Sequence, residues 1–421
     1  METDRFGNTI DPEVGYARGE ILKSSVEEEK RQARAFDIIK KRVEERGKQG
    51  VFNFTGIDRG FTIKLEDMDL LDEFVAIPVY EIRLNELAIG LVGGSPEHNV
   101  AVFNRGSGGI IASVLTLVGE RETVISVTPP GASHPAVAKG ATLVRANLIE
   151  VNNSVELKKA IEKEGKISLI VVTGVTARLE VFPQKELEEI VKIAKDKNIF
   201  ILLDEGIGTG IRTVIENQSK ALELGFDVTL TTLEGIGFHG PRFGVMVGKE
   251  ELIRKISADA YSLGLEARPA FLPGVIRSLE QYRPDHIQQI RDMGRELVKR
   301  LTELYGKETV KEMPVGMQIM DEDILAIVME KAQIEKSVIV PVEASQALAM
   351  ILLEDYGIIT WLSILSSLRY VSPSLKVVLV PEVAKRFGGV EKVVKALDNS
   401  FDKLSKIIMD VNEVKKVLLG E

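Results

Sequence analysis

The sequence predicts an α/β protein, with a large domain built on a mostly parallel sheet and a smaller α+β domain after it. Three observations carry this expectation. Between about residues 83 and 248, short runs of Val, Ile and Leu alternate with stretches of helical spacing. That is the pattern of βα units whose right-handed crossovers cover both faces of a parallel sheet. The loops at 105–109, 128–134, 173–176 and 204–210 each follow one of the apolar runs, and in such sheets the ligand site lies beyond the carboxyl ends of the strands. Past Pro273 the texture changes to long amphipathic helices with short apolar runs between them.

Taken in order, residues 1–20 are polar and rich in turn formers, and 21–48 have helical spacing with mixed charge, ending at Gly47 and Gly50. Residues 51–62 form a short strand with turn signals, so 1–75 is expected as an N-terminal arm and helix. The large domain is expected over 76–275. Its helices are placed at 83–92, 110–118, 135–139, 154–164, 184–197 and 216–224. Its strands are placed at 100–104, 123–127, 142–144, 148–151, 169–173, 200–204, 228–232 and 245–247. The small domain, 276–421, is expected to carry helices at 284–304, 344–355 and 390–418 and strands at 309–320 and 323–329. No internal repeat or low-complexity segment interrupts the chain.

Composition excludes several chemistries. The 421 residues are 44% hydrophobic and 28% charged, ordinary for a globular protein with one large core and a second, smaller one. There are no cysteines, so disulfides, thiolate metal sites and cysteine nucleophiles are ruled out, and 4 histidines are too few for a multi-histidine metal site. No apolar run is long enough to span a bilayer, and the polar start resembles neither a signal nor a transit peptide. A cytoplasmic location and no membrane partner are expected. The net charge of −9, with every Lys/Arg cluster interleaved with acids, argues against a nucleic-acid partner. The most basic stretch, Lys30 to Arg46, alternates in sign and suits a solvated helix.

Several residues in the strand-end loops are chemical candidates. In NRGSGG, Gly106, Ser107 and Gly108 stand where a strand turns into a helix. Backbone N–H groups there, with glycine allowing close approach, suit a phosphate, although such turns also occur without any ligand. His134 in PPGASHPAV could stack on a heteroaromatic ring or simply cap the helix that follows. Asp204 closes the apolar run FILLD; its carboxylate could pair with a protonated pyridine nitrogen, cap the next helix or bind Mg²⁺. His239 and Arg242 flank the Gly-Pro turn, the first as a proton shuttle or a plain loop histidine, the second as an anion contact or a surface arginine. Arg369 in SLRYVSP could grip a substrate carboxylate with its fork or pack between elements. Dinucleotide and Walker A fingerprints are both missing.

The stretch FDVTLTTLEGIGFHGPRFGVMVG, from Phe226 to Gly248, completes the pattern. With VAVFNRGSGGIIASVLTL, GASHPAV, VVTGVT, FILLDEGIGTGIR and GLEARPAFLPG, it resembles the archaeal relatives of bacterial selenocysteine synthase (L-seryl-tRNA selenium transferase-like). These are pyridoxal phosphate (PLP) proteins of the aspartate-aminotransferase fold type I. The resemblance covers residues 83–290. It implies a fold type I large domain, PLP as cofactor, an amino acid-like substrate and a homodimer or larger homo-oligomer. Ser107 and its glycine neighbours would cradle the cofactor phosphate, His134 would stack on the ring, and Asp204 would face the pyridine nitrogen.

In the family, the strand–loop–strand carries the lysine that forms a Schiff base with PLP. Counted back from the Gly-Pro turn, that position here is Ile236, and no lysine lies between Lys220 and Lys249. Isoleucine has neither the amine nor an acid–base function. Two expectations follow. Either the protein binds PLP or a PLP–amino acid adduct non-covalently, with lyase- or transferase-type chemistry and His239 as the candidate for the lost lysine's work, or it is a catalytically inactive paralogue serving as a structural or regulatory subunit of a lysine-bearing relative. The family's name also implies a tRNA substrate, against which the charge balance speaks.

Overall fold

The computed structural model describes residues 2–130, 133–176, 179–365 and 373–421. The chain divides into two compact units, Ile57–Ile287 and Met1–Gly56 with Gln288–Glu421.

In chain order the first elements are helix α1 (Ser25–Arg46) and strand β1 (Phe52–Asn53). The larger unit then contributes α2 (Glu73–Val92), β2 (His98–Phe103), α3 (Gly106–Leu117), β3 (Thr123–Val127), α4 (Pro135–Val144), β4 (Asn147–Val151), α5 (Ser154–Lys163) and β5 (Ile167–Thr173). It continues with α6 (Gln184–Asp196), β6 (Phe200–Gly206), β7 (Val228–Thr232), β8 (Gly244–Lys249), α7 (Glu250–Ser262) and α8 (Leu272–Glu280). Its seven-stranded sheet has the order β2-β8-β7-β6-β5-β3-β4. Strand β8 runs antiparallel to β2 and β7, and the other pairings are parallel. The mostly parallel α/β architecture expected from the sequence is therefore present.

The strands are apolar on both faces because helices cover both. In β5, Leu169 and Val171 join a core with Leu230, Met246 and residues of α3, α4 and α7, while Ile170 and Val172 join another with Leu187, Ile190 and Ala194 of α6. This is the two-residue alternation of a strand between two layers. Helix α3 lies against the sheet because its first turn lacks side chains. A Cβ on Gly109 would meet Leu230 Cδ1 at 2.8 Å, and one on Gly106 would meet Thr232 Cγ2 at 2.8 Å.

The second unit adds α9 (Pro284–Tyr305), which starts just before the division, then β9 (Lys311–Glu312), β10 (Met317–Ile319), α10 (Asp321–Ala332), α11 (Pro341–Ile351), β11 (Ile358–Ile359) and α12 (Trp361–Ile364). It ends with β12 (Leu375–Val377), α13 (Pro381–Phe387), α14 (Val390–Ile407) and α15 (Val411–Leu419). A three-stranded antiparallel sheet, β12-β10-β9, and a parallel β1–β11 pair accompany the helices. Leu348, Leu352, Leu397 and Phe401 lie in its buried core.

Several expected boundaries differ. The arm expected over 1–75 is split, because polar side chains tie residues 1–56 to the C-terminal part of the chain. Glu343 Oε1 accepts from the amides of Ile21 and Leu22 at 2.8 Å, and fully buried Arg31 donates to the carbonyl of Ser363 at 2.8 Å. Residues 57–75 belong instead with the large unit, whose boundary falls at 287 rather than 275. The strand expected at 142–144 is the end of α4, closed by Arg145 in the left-handed region. The strand expected at 323–329 is α10: acidic Asp321, Glu322 and Asp323 suit a helix start, and Ile324, Leu325, Ile327 and Val328 bury one helical stripe. Residues 216–224 form no α-helix, and the helix expected over 390–418 is broken by Asp410, which caps α15. Among the described residues no helix is long and apolar enough to cross a membrane.

Candidate active site

The carboxyl ends of β5, β6 and β7 lie side by side, and that of β7 packs against the first turn of α3. Strand β6 ends in a β-bulge: Asp204 opposes Leu230 and Gly206 opposes Thr231, so Glu205 is the extra residue. The bulge sends consecutive side chains to separate tasks. Asp204 Oδ1 accepts from the Gly206 amide at 3.0 Å. Glu205 takes the guanidinium of Arg212, with Nη2 at 2.7 Å from Oε1 and Nε at 3.1 Å from Oε2. Arg212 and Glu205 are 0% and 1% exposed. The remaining terminal nitrogen of Arg212 donates to the carbonyl of Ser219 at 2.7 Å and to Gln218 Oε1 at 3.2 Å, so the buried charge is neutralised and bonded. Gly206 has φ +51°, a left-handed turn that glycine adopts freely. Its carbonyl accepts from Thr232 Oγ1 at 3.0 Å, which joins the ends of β6 and β7.

Asp204 is buried, and loss of hydration pushes its carboxyl above the ordinary range; the nearby His134 charge and the Gly206 amide pull it partly back, and Glu205 adds a smaller upward push. His134 is the N-cap of α4, its Nδ1 accepting from the Ala136 amide at 3.1 Å. His134 thus caps the helix, and the cap fixes its ring. Gly106, Ser107 and Gly108 form the first turn of α3, with Arg105 as its N-cap. The amides of a helix start have no intrahelical acceptor and are open to an anion. Thr232 links the two sets of groups, since its methyl would collide with any Cβ at Gly106 while its hydroxyl holds Gly206.

The β7–β8 loop is a closed turn. The Leu233 amide donates to the carbonyl of Phe243 at 3.0 Å, and the Gly240 amide to that of Leu233 at 2.7 Å. Gly235 allows it to lie on the chain after β6, since a Cβ there would meet the Ile207 carbonyl oxygen at 2.4 Å. Ile236 is buried, and its carbonyl oxygen would be 3.1 Å from a Cβ on Gly210. His239 places Nδ1 3.2 Å from Asp58 Oδ2, and its ring is 6.3 Å from that of His286. Arg242 donates through Nε to Glu234 Oε1 at 2.8 Å. Arg369 lies outside the described residues. Among the described residues no group of three or more His, Asp or Glu is placed to hold a metal.

The structure thus brings Asp204 within electrostatic reach of His134 and ties its strand end to the first turn of α3. It also reveals groups that the motifs did not flag: the Glu205–Arg212 pair, Thr232 and Glu234. The available signals were the second acid in FILLDEG and the lone carboxylate in the otherwise apolar and glycine-rich TTLEGIG.

A family model described as Aminotransferase class I and II matches residues 84–363. The chain is 32% identical over 400 residues to a UPF0425 pyridoxal phosphate-dependent protein of Methanothermobacter thermautotrophicus, covering 95% of this chain and 100% of that protein. Among solved structures it is similar in fold to the SepCysS–SepCysE N-terminal domain complex (TM-score 0.58, 15% identity, 85% of this chain and 95% of the other). It also resembles a lysine-to-alanine variant of serine palmitoyltransferase from S. paucimobilis with bound PLP–myriocin aldimine (TM-score 0.54, 15% identity, 87% and 83% covered).

Two outcomes are expected. Arg212→Met leaves Glu205 charged and unpaired in the interior and should cost about 3–5 kcal/mol of stability in denaturant unfolding. The folded state raises the Asp204 pKa, so the unliganded protein loses stability as pH rises from the ordinary carboxylate range, about 4, up through the raised value. Asp204→Asn should therefore raise the melting temperature of the unliganded protein at pH 7, with the gain vanishing near pH 3.

Proposed function

The chain belongs to the UPF0425 family of pyridoxal phosphate-dependent proteins, within the class I and II aminotransferase fold, and on that premise we propose that it binds pyridoxal phosphate, or a PLP–amino acid adduct, without a covalent link. The observation that carries this reading is the buried Asp204 carboxylate at the end of β6, an acid that a cationic partner would stabilise. A protonated pyridine nitrogen is such a partner, and the cradle at Gly106 that a Cβ would fill lies one strand away, beside Thr232. The residues present fit the ring and the phosphate. They do not fit covalent attachment, because the β7–β8 loop has no amine to offer.

Bound PLP supplies an electron sink for bonds at the carbon next to a substrate amine. The chain's own groups do the holding. The amides of Gly106, Ser107 and Gly108, with the Ser107 hydroxyl, take the phosphate. The His134 ring, anchored by its cap on α4, would stack on the pyridine ring, and the Asp204 carboxylate would pair with its protonated nitrogen. The lysine position is assigned to Ile236, which neither moves a proton nor links to an aldehyde. Proton transfer falls to His239, oriented by Asp58, and Arg369 takes the carboxylate of an amino acid-like substrate. The chemistry is of lyase or transferase type, as in a selenocysteine-synthase-like enzyme, and the protein acts as a homodimer or larger homo-oligomer. A fold relative with a lysine-to-alanine substitution still holds a PLP adduct, in line with retention without that amine.

The missing lysine also favours a second reading, a subunit that has lost catalysis and supports a lysine-bearing relative. One experiment separates the two. The purified chain is titrated with PLP and with preformed PLP–amino acid adducts while the visible absorbance is followed, then treated with borohydride and digested for mass spectrometry. Saturable binding with no pyridoxyl-lysine is expected. No binding at all would leave the supporting-subunit reading, and a modified lysine would show that another residue supplies the amine.

A further inference from the structure

Two acids stand side by side at the end of β6, Asp204 and Glu205, and both are buried. A strand sends alternate side chains to opposite faces, so a slip of one residue would exchange their places. What tells them apart is Arg212. Its fork spans both oxygens of Glu205, with Nη2 2.7 Å from Oε1 and Nε 3.1 Å from Oε2.

The guanidinium is anchored on its far side as well. Nη1 donates to the Ser219 carbonyl and to Gln218 Oε1. Gln218 Nε2 in turn donates to the Phe182 carbonyl at 2.7 Å, and the Ser219 amide donates at 2.9 Å to Gln184 Oε1, on the first residue of α6. All three nitrogens of this fully buried guanidinium are engaged, so none is left over for a ligand. The backbone around the bulge is matched to the pair. The Gly174 amide donates to the Asp204 carbonyl at 2.7 Å, and a Cβ on Gly174 would lie 2.9 Å from Glu205 Oε2. The Gly208 amide donates to the Glu205 carbonyl at 2.7 Å and the Arg212 amide to the Gly208 carbonyl at 3.0 Å, which closes the chain between the two charged residues. Asp204 is the acid left over. Its carboxylate accepts from the Gly206 amide, and among the described residues no cation is hydrogen-bonded to it.

We propose that Arg212 is a positioning residue: by locking Glu205 into the bulge, it reserves the neighbouring carboxylate, Asp204, for the cationic ring nitrogen of a pyridine-type ligand. The inference rests on the reading of the strand end as a PLP site. It goes beyond that reading by giving the choice of which acid meets the ring to a side chain that touches no ligand. Arg212→Lys keeps the charge and loses the fork, so Glu205 is no longer held at both oxygens.

Two measurements on the full chain test this. The variants are Arg212→Lys, Glu205→Gln and the milder Gln218→Ala, which removes one outer anchor and is expected to fold if the others do not. Asp204→Asn is the reference, and Leu187→Ala weakens the core elsewhere as a control. The first measurement is calorimetric titration with PLP and with its 1-deaza analogue, in which carbon replaces the ring nitrogen. The wild type should prefer PLP by about tenfold, and Asp204→Asn should erase the preference. Arg212→Lys and Glu205→Gln should lower it at least threefold and Gln218→Ala by less, whereas Leu187→Ala keeps it. A merely structural arginine would weaken both ligands alike, so a preference within twofold of wild type in the folded Arg212, Glu205 and Gln218 variants would overturn the proposal. Equal binding of the two ligands by the wild type would remove the ring-nitrogen contact and the proposal with it. The second measurement needs no ligand. The rise in melting temperature that Asp204→Asn brings at pH 7 is compared in the wild-type, Arg212→Lys, Glu205→Gln and Gln218→Ala backgrounds. A carboxylate released from the bulge reaches water, so the rise should fall by about half or more in the first two variants and by less in the third. If the wild type binds neither PLP nor the analogue, the PLP reading fails and this second comparison decides alone: a reduced rise sustains the positioning of Asp204 by Arg212, and an equal rise in every background overturns it.

Discussion

The larger unit depends on how β6 ends. A buried carboxylate at a strand end is costly, and two in succession are tolerable only if each has its own compensation. The bulge at Glu205 achieves this by turning the two acids apart. Glu205 meets Arg212 in a fully buried, bidentate pair, whereas Asp204 is left with one backbone amide and the field of a histidine. The pair with Arg212 fixes the bulge, the bulge aims Asp204, and Gly206 extends the order to β7 through Thr232. The remaining polarity of Asp204 is an unfinished interaction at the strand end.

The β7–β8 loop takes its form from its backbone. The loop keeps its tight hydrogen-bonded turn and its close approach to the chain after β6, both of which are backbone properties. It carries a buried aliphatic side chain at Ile236 and a carboxylate at Glu234 that pairs with Arg59 and Arg242.

The second unit shows how polar side chains decide which segments belong together. Arg31 and Glu343 are both nearly inaccessible, and each uses its charge on backbone groups distant in sequence: Arg31 on the carbonyl of Ser363, Glu343 on the amides of Ile21 and Leu22. These bonds, with the parallel pairing of Phe52 and Ile358, place the N-terminal 56 residues in the same unit as the C-terminal part. A boundary drawn from composition alone separates them.

The sequence alone determined the features that depend on local rules. Apolar runs alternating with helical stretches specified a parallel sheet covered on both faces. Gly106 to Gly109 marked a turn from a strand into a helix, and the loops after the strands marked one end of the sheet as the expected place for a ligand. Asp204 and His134 stood out as candidates because each stands where an apolar run has just ended. Short elements were misjudged where propensity was ambiguous: ATLV and DILAIVM suit a strand as well as a helix until capping and packing choose. Only the tertiary structure decided that Glu205 pairs with Arg212 through a bulge, that His134 works through its helix cap, and that Arg59 reaches Glu234 across 175 positions of chain. Such pairings leave no period in the sequence, because ion pairs obey distance in space, and that distance exists only once the sheet has brought its strand ends together.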